Sequence, residues 1–218
     1  MWPKNSGIAL ALDVENRDEA FRLLDRIAEH VDIIKFNYPL ILAEGLGLMT
    51  EIKKRYPKPI LADFKVADVP VTNDRIARLA ANAGADGLML HGFIGVDAIQ
   101  SLKAAVPQTK LFIVTQMTNP GGLDFTAEFT DDFAELARTL ELAGVQAPGN
   151  RPEVVAKVRK IVGPELMIVC CGIGAQGGAF GGAIAAGADY EIVGRAIYRA
   201  ADPLAQTLAI KAKIRESR

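Results

Sequence analysis

Cysteine is almost missing from this chain. Cys170 and Cys171 are the only two, and because they are adjacent they offer no framework for a disulfide scaffold. They read most simply as small apolar residues. Histidine is equally scarce: His30 and His91 have no cysteine or carboxylate partners at metal-ligand spacing, so no metal site is expected. No Gly-x-Ser-x-Gly elbow is present for a serine hydrolase. Neither charge dominates, with 25 Lys and Arg against 26 Asp and Glu, which argues against a broad basic face for nucleic acid. No run reaches the roughly 18–20 apolar residues needed to span a bilayer, and the apolar stretch in MWPKNSGIALALD is too short for a signal peptide. These absences lead us to expect a soluble, cytoplasmic protein with neither membrane nor nucleic acid as partner.

What remains is a chain of 218 residues, half of them hydrophobic, able to bury a large core. Short β-rich runs alternate with longer helical patterns. Strands are expected at Ile8–Asp13, Ile33–Phe36, Ile60–Phe64, Gly87–His91, Leu111–Gln116, Val145–Pro148, Leu166–Cys171 and Glu191–Gly194. Most are apolar on both faces, as parallel strands covered on both sides should be. Amphipathic segments such as Arg17–Glu29, Thr72–Asn82 and Arg151–Val162 lie between them. Two seams nearly repeat, AGADGLMLHG at 83–92 and AGADYEIVGR at 186–195, each with a glycine suited to ending a helix before Ala-Asp and a strand. Eight strands and about eight helices without a linker predict an α/β fold, a single (β/α)8 TIM barrel over 1–218. A doubly wound open sheet is the alternative.

In a barrel, active groups project from the C-terminal strand ends. Asp13 follows the first strand here, Lys35 lies in the second, Asp63 and Lys65 close the third, His91 closes the fourth, and Thr115, Gln116 and Thr118 follow the fifth. The N-terminal ends show no such collection. ADFKVADVP, 62–70, is the densest charged stretch after a buried run. Two residues apart in extended backbone, Asp63 and Lys65 face the same way, with Lys35 one strand over. Opposite charges so placed offset one another's desolvation and present a cation and a carboxylate to a small substrate. The bland alternative is a structural ion-pair network at the barrel mouth.

CGIGAQGG, 171–178, follows the seventh strand, and its glycines let backbone N–H groups approach an anion, with a helix N-terminus expected next. Arg195, after the eighth strand, can grip phosphate with a forked guanidinium. Together they suggest a phosphate monoester as substrate. The loop resembles a dinucleotide fingerprint only loosely and lacks its strand–helix context.

The stretches ALALDVENRDEA (9–20), IIKFNYPLILAEG (33–45), ILADFKVADVPVTN (60–73), GADGLMLHGFIG (84–95), TQMTNPG (115–121), GIGAQGG (172–178) and IVGRAIY (192–198) resemble, in order, the orotidine 5'-monophosphate decarboxylases, especially their compact archaeal form. The resemblance implies a cofactor-independent carboxy-lyase making UMP, the last step of de novo pyrimidine biosynthesis. It implies a catalytic Lys-Asp-Lys-Asp array at Lys35, Asp63, Lys65 and Asp68. Asp13 would contact the ribose, Thr118 the pyrimidine, and Gln176, Gly194 and Arg195 the phosphate. Asp68 and Thr72 would reach into a second subunit's site, making a homodimer. Two departures stand out: relatives usually carry Ser at the Thr118 position and Ser-Pro at Cys170-Cys171.

That chemistry is intelligible from below. Loss of CO2 from C6 leaves a vinyl carbanion with no adjacent electron sink, so without a cofactor the protein must stabilise it electrostatically. Lys65 is the expected stabiliser and proton donor, with Lys35 and Asp68 fixing it in place. Two alternatives differ in class. A magnesium-dependent keto-gulonate-phosphate decarboxylase shares Asp-x-Lys-x-x-Asp but carries Glu where Lys35 stands, and a silent phosphate-binding barrel would not need the array.

Overall fold

The computed structural model describes residues 2–218. Strand β1 (Ile8–Ala11) leads through α1 (Arg17–Ile27) to β2 (Ile33–Phe36), then α2 (Tyr38–Glu44) and α3 (Gly47–Arg55) to β3 (Ile60–Val66). Helix α4 (Pro70–Asn82), β4 (Gly87–His91), α5 (Gly95–Ala105), β5 (Lys110–Val114), α6 (Thr130–Thr139), β6 (Gly144–Pro148), α7 (Pro152–Val162) and β7 (Met167–Cys171) follow. The chain ends with α8 (Gly182–Ala185), β8 (Tyr190–Val193), α9 (Arg195–Tyr198) and α10 (Pro203–Glu216). All pairings are parallel and β1 pairs β8, Ala9 opposite Ile192, so the sheet closes into a (β/α)8 barrel and the open-sheet alternative falls. Every expected strand is found within two residues of its predicted bounds. Helices outnumber the expectation because α2 and α3 share one connection and short α8 and α9 flank β8.

Local chemistry explains the helix starts. Asn16 accepts the N–H of Glu19 to cap α1, and Asp202 accepts those of Leu204 and Ala205 to cap α10. Pro70, Pro152 and Pro203 sit at first helical positions, where their missing N–H costs nothing.

The strands' outward residues, among them Leu10, Ile34, Ala62, Leu88, Ile113 and Val145, pack on the helices, while Ala9, Ile33, Leu61, Met89, Phe112, Val169 and Tyr190 fill the barrel interior. Trp2 closes the N-terminal end. Its ring lies 5.3 Å from that of Phe112, and Tyr190 Oη donates to its carbonyl at 2.8 Å.

Three even-numbered strands begin just after a carboxylate that ties them to the preceding strand. Asp32 accepts the N–H groups of Asn5, Ser6 and Gly7 at 3.1, 2.9 and 2.7 Å. The two repeated seams use one device: Asp86 accepts from Ile60 N and Asp189 from Ile168 N, each at 2.7 Å, and each carboxylate also binds a cation, Lys53 and Arg159 respectively. Gly84 and Gly187, at φ +104° and +105°, let the chain turn there. No helix among the described residues is long and apolar enough to cross a membrane.

Candidate active site

A cavity of about 450 Å3 opens at the C-terminal end of the barrel, and its wall is polar where most of the barrel interior is apolar. Lys35 and Asp63, both buried, meet there: Lys35 Nζ donates to Asp63 Oδ2 at 3.2 Å and lies 3.5 Å from Asp13 Oδ1. Lys65 Nζ donates to Asp63 Oδ1 at 2.6 Å. Asp63 is thus gripped on both oxygens by ammonium groups.

Charge pairing outweighs desolvation in this cluster. Burial alone would lower the pKa of Lys35, but Asp63 and then Asp13 raise it above its ordinary value. Burial would likewise raise that of Asp63, yet Lys35 and Lys65 hold it below the usual carboxylate range. The anion at Asp63 therefore persists in a dry setting because two cations share it.

Backbone as well as charge sets this geometry. Leu61, Asp63 and Lys65 point inward while Ala62, Phe64 and Val66 pack outward, as period-two alternation requires. The strand is not regular, however: Ala62 pairs with Leu88 and Val66 with Leu90, so four residues of β3 span two of β4. Within this bulge Lys65 has φ +42°, a left-handed conformation that costs a side chain with a Cβ. The simple extended strand expected from the sequence is therefore corrected to a bulged one.

Within one chain the array has three members, not four. Asp68 is exposed at the start of α4, where its carboxylate accepts Val69 N at 2.6 Å and its own N–H donates to Asn73 Oδ1 at 2.9 Å. It makes no ion pair with Lys65, because the chain leaves the barrel mouth after Val66 to begin α4. Thr72, on the same helix, also lies outside the cavity wall.

The remaining expected residues do line the cavity: Asp13, Thr118, Gln176, Gly194 and Arg195. The glycine loop differs in form from its expectation. It folds back on itself through Gly174 N to Gly178 O (2.7 Å) and Gly178 N to Gly172 O (3.0 Å), and the following helix, α8, starts only at Gly182. Three of its glycines, Gly172, Gly174 and Gly177, have positive φ. Cys170 is buried and Cys171 borders the cavity, and burial pushes the Cys171 thiol up to about 11. His91 does not line the cavity. It stacks on Phe93, and burial followed by the nearby Lys65 charge lowers its pKa.

Four polar residues of the cavity wall escaped the sequence reading: Asn37, Asn119, Gln146 and Tyr198. Asn37 caps α2 and Tyr198 ends α9, so both look like ordinary helix-terminal residues. Gln146 gave a usable signal, a lone amide in the apolar strand GVQAP, now found buried in the cavity wall. Among the described residues no group of three or more His, Cys, Asp or Glu is placed to hold a metal ion.

Comparison with known proteins identifies the family and the fold. The model of the orotidine 5'-phosphate decarboxylase / HUMPS family matches residues 6–210. The orotidine 5'-phosphate decarboxylase of Methanosarcina barkeri is 44% identical over 97% of this chain and 96% of its own. The crystal structure of the Pyrococcus horikoshii OT3 enzyme of that name superposes with a TM-score of 0.89 at 41% identity, covering 95% of this chain and 99% of that one. The Methanocaldococcus jannaschii orotidine 5'-monophosphate decarboxylase complexed with inhibitor BMP gives 0.90 at 36% identity, covering 98% and 99%.

Proposed function

Starting from the premise that this chain belongs to the orotidine 5'-phosphate decarboxylase / HUMPS family, we propose that it converts orotidine 5'-monophosphate to UMP and CO2 without a cofactor, the last step of de novo pyrimidine biosynthesis. The observation that carries this reading is the Lys35–Asp63–Lys65 array opening into a cavity that Gln176, Gly194 and Arg195 also line. The phosphate is held by Gln176, Arg195 and the backbone at Gly194, the ribose by Asp13, and the pyrimidine edge by Thr118. C6 with its carboxylate then faces Asp63 and Lys65. As the C6–carboxylate bond breaks, its electron pair stays on C6, where the Lys65 ammonium stabilises it. Lys65 gives a proton to C6, completing UMP, and regains one from water. Phosphate binding, remote from the broken bond, contributes energy that orients the base.

In this reading Asp68 and Thr72 complete the site of a second copy in a homodimer. Their position outside their own cavity supports it, as do the exposed apolar side chains Val69, Val71 and Leu79 of the same segment.

A magnesium-dependent sugar-phosphate decarboxylase fits less well, because the space between the Asp13 and Asp63 carboxylates is held by the Lys35 ammonium. One assay separates the readings. Chelator-treated protein should consume orotidine 5'-monophosphate, followed spectrophotometrically, at the same rate as untreated protein. Turnover that needs added magnesium, or none at all, would refute the proposal.

A further inference from the structure

Beyond β5 the backbone ladder stops, and side chains from the end of β6 take its place. The last ladder bond is Thr115 N to Gln146 O at 2.9 Å, doubled by Thr115 Oγ1 to the same oxygen. The next four carbonyls then accept, one after another, from side chains of β6 and the residues just after it. Gln146 Nε2 reaches Gln116 O at 3.4 Å, Arg151 Nη1 reaches Met117 O at 3.0 Å, Asn150 Nδ2 reaches Thr118 O at 3.1 Å, and Arg151 Nη2 reaches Asn119 O at 3.3 Å.

The pattern has a direction. Arg151 spans the two carbonyls that flank Thr118, and Asn150 takes the one between them, so three consecutive peptide planes are fixed from one side. Among the described residues no carboxylate lies within ion-pair distance of Arg151, and its guanidinium donates to the Met117 and Asn119 carbonyls. The clamp is itself anchored: a Cβ at Gly149 would come within 2.6 Å of Ile173 Cδ1 and 2.9 Å of Cys171 O, so the end of β6 is packed tightly on β7. Thr118 and Asn119, the residues held, line the cavity that contains the Lys35–Asp63–Lys65 array.

We infer that Arg151 and Asn150 are positioning residues for base recognition: by locking the peptide planes of Met117 to Asn119 they aim Thr118 at the pyrimidine. The inference rests on the functional reading above, in which Thr118 meets the base. A clamp of this kind lets a short loop present a hydroxyl with strand-like precision. A merely structural tether would instead stabilise the loop without favouring one end of the substrate.

The test compares two ligands that share the ribose phosphate and differ in the base, UMP and ribose 5-phosphate. Arg151→Ala should weaken UMP about tenfold and raise KM more than it lowers kcat, while ribose 5-phosphate binding stays within about twofold. Arg151→Lys, able to satisfy one carbonyl but not two, should fall between, and Asn150→Ala should shift UMP in the same direction. In a Thr118→Ala background the effect of Arg151→Ala should largely disappear. Equal weakening of both ligands, or an undiminished effect in that background, would overturn the inference. If Arg151→Ala fails to fold, the Arg151→Lys and Asn150→Ala comparisons decide it by the same criteria. Wild-type protein that does not bind UMP would point instead to failure of the functional reading.

Discussion

Asp32 and Asp63 are the same residue type, each next to or within a barrel strand and almost equally hidden, 3% and 2% exposed, yet they stand at opposite ends of the barrel and are satisfied in opposite ways. At the N-terminal end Asp32 takes three backbone N–H groups, Asp86 takes one together with Lys53, and Asp189 takes one together with Lys4 and Arg159. Their lone pairs are committed to the chain. At the C-terminal end Asp63 accepts only from Lys35 and Lys65, and that cluster borders a cavity. The contrast teaches that a buried charge is not in itself a sign of chemistry. A carboxylate held by backbone amides is part of the frame, whereas one held only by side-chain cations beside a cavity can act on what enters it.

Substitutions at the two ends should therefore separate turnover from stability. Lys65→Ala should lower kcat by at least about a thousandfold while UMP still binds, measured by steady-state kinetics and calorimetry. Near-normal turnover would erase the functional half of the contrast. Arg195→Ala should weaken phosphorylated ligands about 10- to 100-fold and leave the nucleoside unaffected, an outcome read from competition experiments. Asp32→Ala, at the opposite end, should cost about 1–3 kcal/mol in denaturant unfolding by orphaning buried N–H groups, with kcat/KM per folded molecule unchanged. A fall in kcat/KM there would show that the frame and the site are not separable. Smallest of all is Glu141→Gly. Glu141, in the turn before β6, is the other described non-glycine residue with positive φ, at +50°, and relieving it should add up to about 1 kcal/mol without altering activity.

The barrel was legible because its signals are repetitive. Apolar strands alternate with amphipathic helices, and the AGAD seams mark two equivalent junctions. Much of the cavity wall was legible for a related reason: Lys35 and Asp63 are charges in or at the end of apolar runs, which sequence alone makes conspicuous. Other features depend on three-dimensional registration. Nothing in Phe64-Lys65-Val66 announces that β3 bulges, since that follows from its pairing with β4. Spacing placed Asp68 near Lys65 along the chain but could not show the turn into α4 that carries it away. Gln146 was visible as an odd amide, but its cavity position and the clamp it starts emerge only when β5 and β6 lie side by side. Asn37 and Tyr198 resemble ordinary helix-end residues, and only barrel closure turns them toward the cavity.

The left-handed turn at Lys65 has an implication for anyone redesigning this protein. Judged by main-chain comfort alone, position 65 calls for glycine, the one residue that adopts such a conformation without steric conflict. A stability-guided search that ignored the cavity would choose that replacement and deliver a well-folded barrel stripped of its ammonium.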